Sequence, residues 1–224
     1  MAQSITRLSG VNSLSGTIPA TNIANSTFDN ITALPSAVPT GKPVLLSTAT
    51  ASASSSIEFT SGIDSTYDIY QFEFINIHPA NDNVYFTFNL STDGGSNYNV
   101  TKTTTVFNAY HDEADTATAL AYRTGDDLAQ STGFQRIVSA SLGNGSDESC
   151  AISFQLFNPS STTYVKHFIS VSNGYDASNY SVNNYVAGYA NTTSAINAIQ
   201  FKMESGNFDG TIKMYGISAW VWLN

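Results

Sequence analysis

Residues 195–217 read AINAIQFKMESGNFDGTIKMYGI, and the fold turns on how this stretch is read. Ile199, Phe201 and Met203 alternate with Gln200, Lys202 and Glu204, which places apolar side chains on one face of an extended chain and polar ones on the other. Ser205, Gly206, Asn207, Asp209 and Gly210 supply a reversal, after which Ile212 and Met214 alternate against Thr211 and Lys213. Two half-buried runs joined by a polar turn predict a hairpin over residues 195–217. A strand pair this late in the chain must find its partners upstream, so it is expected to close a β-sandwich.

The same period-two pattern recurs upstream. Residues 44–48 and 56–60 read as short strands around a small-residue turn at 49–56. In residues 67–77, Tyr70, Phe72 and Phe74 share one face and Ile69, Gln71, Glu73 and Ile75 the other, which predicts a central strand covered on both sides. Residues 84–91 point Val84, Phe86, Phe88 and Leu90 inward and Tyr85, Thr87 and Asn89 outward. Residues 98–109, 134–140, 150–157, 164–171 and 185–189 supply further strands. Residues 78–83 and 93–97 are reversals, 111–119 an acidic connection, and 125–131 a helical or irregular insertion. About ten short strands with hardly any helix predict an all-β fold, an antiparallel β-sandwich of the jelly-roll kind. An immunoglobulin-type sandwich fits less well, because the body is too long and the paired-cysteine framework is missing.

Only 11% of the 224 residues are charged, against about 25% in an ordinary soluble protein. Such a surface is polar but weakly ionic, which suits subunits packed into an assembly or a face that meets neutral sugars. The formal charge is −9, from 17 acidic and 8 basic residues, and Lys and Arg nowhere cluster. Nucleic acid is therefore excluded as a partner, since phosphate binding needs clustered cations. Cys150 is alone, so no intrachain disulfide forms, and its alternation with Ile152, Phe154 and Leu156 reads as a core thiol. Residues 1–10 lack the basic start and apolar run of a secretory signal, and no run is long enough to span a membrane. The expectation is synthesis in a cytoplasm without a signal peptide, and no membrane insertion.

Residues 1–40 are of another kind. Ile5, Leu8, Val11, Leu14, Ile18, Ile23, Phe28, Ile31 and Leu34 punctuate a background of Ser, Thr, Asn and Ala, while Gly10, Gly16, Pro19, Pro35 and Pro39 interrupt any helix. An extended arm follows, and such an arm cannot bury its own apolar side chains. It lies along the body or packs against a neighbouring subunit, and the neighbour is the expectation. Pro35, Pro39, Gly41 and Pro43 mark the boundary with a sandwich over 41–224.

The chemistry-bearing residues give little. His78, His111 and His167 share no metal-ligand spacing, and His111, Asp112, Glu113 and Asp115 read as a solvated loop before a cation site. Asp93, Gly94 and Gly95 open like a calcium loop but lack its closing bidentate acid. Glu58 and Glu73 are the acids expected inside strands, and a glycosidase would have to bring such a pair together. No nucleophile elbow, phosphate loop or dinucleotide fingerprint is present. The expectation is a non-enzyme with no cofactor and no metal. Tyr175, Tyr180, Tyr185 and Tyr189 lie among Asn, Ser and Gly, a composition of adaptable recognition surfaces that serves equally as packing under a loop or at a subunit contact.

Three segments carry a resemblance: residues 25–35 (NSTFDNITALP), 91–98 (STDGGSNY) and 205–217 (SGNFDGTIKMYGI). Together they resemble small structural or fibre-like virion proteins of tailed bacteriophages, aquatic ones especially, over nearly the whole chain. The resemblance implies a place in the virion and no catalytic residues. With the arm and the weakly charged body, it leads to a short tail-fibre or adhesin-type subunit. The alternatives are a capsid decoration protein whose arm pins neighbouring capsomers, and a carbohydrate-binding sandwich. The expected partners are copies of itself as a homotrimer, other virion proteins and a host-surface glycan. Residues 219–224, with Trp220 and Trp222, run past where such chains are expected to stop.

Overall fold

The computed structural model describes residues 43–218. The nine apolar arm positions, Trp220 and Trp222 lie outside the described residues. Twelve strands run in chain order: β1 Val44–Ser54, β2 Ile57–Phe59, β3 Ile69–Pro79, β4 Phe86–Ser91, β5 Lys102–Asp112, β6 Thr118–Tyr122, β7 Gln135–Arg136, β8 Cys150–Phe157, β9 Lys166–Tyr175, β10 Tyr180–Ala190, β11 Ala198–Met203 and β12 Phe208–Ile217. They form an eight-stranded sheet, β1-β12-β3-β8-β9-β10-β5-β6, and a four-stranded sheet, β2-β11-β4-β7, with every ladder antiparallel. No helix of the described residues is long and apolar enough to cross a membrane.

The wiring is that of a jelly roll. Eight strands pair as though one long ribbon had been folded back and rolled up: β1 with β12, β2 with β11, β3 with β8, β4 with β7. Two hairpins are inserted into this frame, β5–β6 between β4 and β7 and β9–β10 between β8 and β11. Both add to the free edge beside β8, so the larger sheet gains four strands and the smaller gains none.

The expected C-terminal hairpin is corrected. β11 pairs with β2 and β4 in the small sheet, whereas β12 pairs with β1 and β3 in the large one. The segment is an arch between sheets. Its two runs face each other across the core through side chains, and alternation alone does not distinguish that from hydrogen-bonded pairing. Gly206 makes the bend with φ of 78°, and a Cβ there would lie 2.6 Å from the Asn81 side chain.

The frame encloses a phenylalanine core. Phe201 of β11 is fully buried, with ring centroids 4.7 Å from Phe74, 5.4 Å from Phe72 and 6.1 Å from Phe154. Phe88 reaches Phe154 and Phe168 at 4.8 and 5.0 Å. Cys150 is a buried member of the same core, and burial pushes its thiol pKa up.

Other expectations also change. β1 continues through the predicted turn at 49–56, because small residues suffice for an edge strand whose partner β12 runs beside it. β3 is covered on one face only, and Ile75 on the other is exposed. β4 is buried on both faces, Thr87 and Asn89 included. Thr87 Oγ1 donates to Lys202 O at 2.9 Å, and Asn89 Nδ2 donates to Tyr98 O and Thr132 O at 2.7 and 3.0 Å. Asn89, read as outward, therefore ties down chain laid over the small sheet, while Thr87 bonds to its register partner on β11. The strand expected at 134–140 shrinks to β7, and the region around 125–131 is irregular, with no helix.

Candidate ligand-binding groove

The strand pleat divides the four tyrosines. Along β10, Val182, Asn184 and Val186 point inward, so Tyr180 faces the interior side of the sheet while Tyr185 and Tyr189 face outward. Tyr175, at the end of β9, is also outward, and its hydroxyl donates to Glu113 Oε1 at 2.9 Å. Tyr185 stacks on Phe107 with centroids 4.9 Å apart and planes within 6°. Tyr189 walls a shallow depression with His167 and Ile169. A single tyrosine platform does not form.

The outward face of the large sheet is instead an apolar band. Val171, Tyr185, Phe107 and Tyr122 are register neighbours on β9, β10, β5 and β6. Eight of the ten exposed large apolar side chains among the described residues sit on this face; the other two are Val44 and Tyr164.

The inner face of the added strands is built differently. Lys102, Thr104 and Asn108 of β5, Ser170 and Ser172 of β9 and Asn184 of β10 point inward and are buried. Segment 135–141 packs against them. Thr104 Oγ1 donates to Gln135 Oε1 at 2.6 Å, and Gln135 Nε2 donates to Asp126 O at 2.8 Å. The Lys102 ammonium is buried against two neutral acceptors, Asn89 Oδ1 and Val100 O, and burial lowers its pKa to about 7.

This polar interior opens into a groove of about 290 Å³, walled by Tyr110, Tyr180 and Tyr85, floored by Asn108 and Ser139, and rimmed by Arg123, Ser141, Asp176 and Ser178. The rings of Tyr110 and Tyr180 meet edge to face at 5.4 Å. Asp176 accepts from Ser178 N at 2.7 Å and from Ser141 Oγ at 3.3 Å, and Arg123 Nε donates to Asp126 at 3.2 Å. Tyr85 extends the wall under the guanidinium of Arg136, 3.7 Å from its ring centroid.

The hydrogen bonds at the floor run in one direction. Ser172 Oγ donates to the backbone oxygen of Ile137 at 3.0 Å, so it accepts from Asn184 Nδ2 at 3.2 Å. Asn184 Oδ1 then faces Ser139, accepting from its N at 3.2 Å and its Oγ at 2.7 Å. With its one proton so used, the Ser139 hydroxyl accepts from Asn108 Nδ2 at 3.2 Å. Asn108 Oδ1 is thereby turned away from Ser139, buried, and accepts no hydrogen bond among the described residues. Only 3% of the residue is exposed.

The acids expected to matter lie elsewhere. Glu58 is on β2 of the small sheet, bonded by Tyr98 and Gln200, and Glu73 is on β3 of the large one, bonded by Gln71 and Ser153. These two do not meet. The His111 run is divided: His111 contacts Asp115 at 3.1 Å, Asp112 caps Thr116 and Ala117, and Glu113 takes Tyr175. Asp112, Glu113 and Asp147 line an open acidic cleft of about 330 Å³. Among the described residues no three His, Cys, Asp or Glu side chains are grouped to hold a metal. Asp93 closes its turn by accepting from Asn97 and Ser91, which hold its carboxyl down at about 2.

Of the four tyrosines singled out in the sequence, Tyr180 lines this groove, and its other lining residues were not among the expected ones. The available signal was Asn108 and Asn184 at inward positions beside Val106 and Val182, where an apolar residue is the rule. Comparison with protein-family models, curated proteins and solved structures finds no match to this chain.

Proposed function

We propose that this chain is a non-enzymatic structural subunit of a tailed-bacteriophage particle, an adhesin-type subunit of a short tail fibre. In this reading residues 1–40 join it to the particle, and the jelly roll is displayed outward. The observation that supports it most is the uncovered apolar band on the large sheet, where Val171, Tyr185, Phe107 and Tyr122 stand in one row. Contiguous exposed apolar surface marks interaction sites, and a symmetric assembly covers such a face with its own copies. A homotrimer is the expected form. Densitometry of purified particles against the major capsid protein should give a small multiple of three copies. Hundreds of copies would make it a decoration subunit of the shell, and absence from the particle would remove the virion reading.

A carbohydrate-binding sandwich is the second reading, favoured by the groove with its tyrosine walls and hydroxyl-rich rim. Jelly rolls include lectin domains as well as capsid proteins, but fold alone assigns neither role. Here the groove, and not the outward tyrosines, supports glycan contact.

A further inference from the structure

We infer that the loop between β7 and β8 modifies itself: the backbone nitrogen of Gly145 closes on the Asn144 side chain with Glu148 as the base, and Asn144 becomes aspartate and isoaspartate with loss of ammonia. The inference holds for the chain by itself, whatever particle or ligand it serves. Asn-Gly occurs twice in the sequence, at 144–145 and at 173–174. A glycine after asparagine lets the chain bring its own nitrogen onto the side-chain carbonyl, because no Cβ resists the rotation. The structure separates the two copies. Asn173 lies in β9 between β8 and β10, with Gly174 in register with Cys150 and Val182, and its Nδ2 donates to Ser181 Oγ at 3.0 Å. Backbone laddered on both sides is held extended and does not turn to close a ring. Asn144 is exposed in an irregular stretch outside the ladders, and there the Gly145 N–H donates to the Glu148 carboxylate.

That bond distinguishes the loop chemically. Ring closure must remove the Gly145 amide proton, and a carboxylate already in contact with it meets the geometric requirement for a general base. Glu148 reaches the proton because two glycines clear its way. A Cβ on Gly145 would lie 2.8 Å from Glu148 Oε2, and one on Gly143 would strike the same carboxylate. Glu148 N donates back to Gly145 O at 3.0 Å, so one turn holds base and nucleophile together. In the reaction Gly145 N bonds to Asn144 Cγ as its proton passes to Glu148. The Cγ–Nδ2 bond then breaks, and Glu148 returns the proton to the departing nitrogen, which leaves as ammonia. Water opens the resulting five-membered imide at either carbonyl, giving aspartate or isoaspartate. The product holds the loop less well. Asn144 Nδ2 donates to Ala80 O at 3.2 Å and Asn144 N to Asp82 Oδ1 at 3.3 Å. A carboxylate at 144 cannot donate to Ala80 O, and it sets a second negative charge near Asp82.

The test ages the full chain in mildly alkaline buffer and follows both asparagines by peptide mapping and isoaspartate-specific methylation. In the folded chain Asn144 should convert about tenfold or more faster than Asn173. In urea the two rates should converge, since only the shared Asn-Gly sequence is left to set them. Asn144 should also convert faster in the folded chain than in urea, because only the fold supplies the base. Glu148→Gln keeps an acceptor but takes no proton, and should slow Asn144 about tenfold or more. Asn144 that stays intact in the folded chain while converting in urea overturns the inference. Conversion of Glu148→Gln as fast as the unsubstituted chain, or faster, also overturns it, because Glu148 is then a clamp on the loop and not a base. If thermal melts show that Glu148→Gln does not fold, the comparison of folded with denatured unsubstituted chain decides alone. Neither particle copy number nor glycan binding enters these rates, so the proposals fail separately.

Discussion

The rolled frame and the four strands added to it share one sheet and one core, but the frame's part of that interior is almost all aromatic and aliphatic while the added strands mix polar residues into theirs. In the frame, Phe201 packs among Phe72, Phe74 and Phe154 with no polar side chain in the cluster. In the added strands the equivalent inward positions hold Lys102, Thr104, Asn108, Ser170, Ser172 and Asn184 interspersed with Val106, Phe168, Val182 and Val186. The strand pattern is the same and the interior chemistry is not. An apolar interior tolerates no vacancy but needs no direction, whereas a polar one must match every donor to an acceptor. It is the second kind that leaves two buried side-chain oxygens without a partner among the described residues, Asn108 Oδ1 and Ser170 Oγ, and the groove lies there.

Substitutions that remove the difference should cost different amounts for different reasons. Phe201→Ala should show the largest loss, about 3–5 kcal/mol in denaturant unfolding, because it empties the hub of the aromatic cluster. Asn184→Ala should cost about 2–3 kcal/mol, since it strands the Ser139 N–H and hydroxyl, both of which donate to Asn184 Oδ1, in a buried site.

Lys102 makes the contrast depend on pH. Burial lowers its pKa in the fold from the ordinary lysine value of 10.5 to about 7, so between those values the unfolded chain binds more protons and stability rises with pH. From pH 7 to 9 the gain should be about 2 kcal/mol. Above pH 9 the buried Cys150 thiol, whose pKa is raised, opposes it. Lys166 is shifted in the same direction as Lys102, also by burial. Denaturation curves for Lys102→Met should be flatter over pH 7–9, and an unchanged slope would mean that Lys102 is charged in the fold. The smallest effect is expected on the outward face, where Tyr185→Ala removes only a ring stacked on Phe107 and should cost about 0.5–1 kcal/mol.

The frame was largely legible because apolar alternation reports an apolar interior. The expected strand at residues 150–157 coincides with β8, and Phe72, Phe74, Phe86 and Phe88 all face inward as their spacing requires. Partner choice was not legible: residues 195–217 alternate identically in an arch and in a hairpin. The groove was hidden for a different reason. Asn89, Asn108 and Asn184 are polar residues whose burial depends on partners distant in sequence, so a rule that sends polar side chains to solvent misplaces them. The outward tyrosines mislead in the opposite sense, since four nearby residues in sequence fall on two faces of the sheet.

Among the described residues β1 has a single strand neighbour, β12. Val44 pairs with Gly216, so the first strand leaves the ribosome long before its partner exists. At roughly 5–20 residues per second that interval is on the order of ten seconds or more. β8, β9 and β10 form a local meander and can pair as they emerge. Synthesis therefore favours the polar, groove-bearing side first, and the phenylalanine frame closes only when the last strand slides between β1 and β3. In the meantime the backbone edges of β1 and β3 that β12 later pairs are open to strand pairing with other chains.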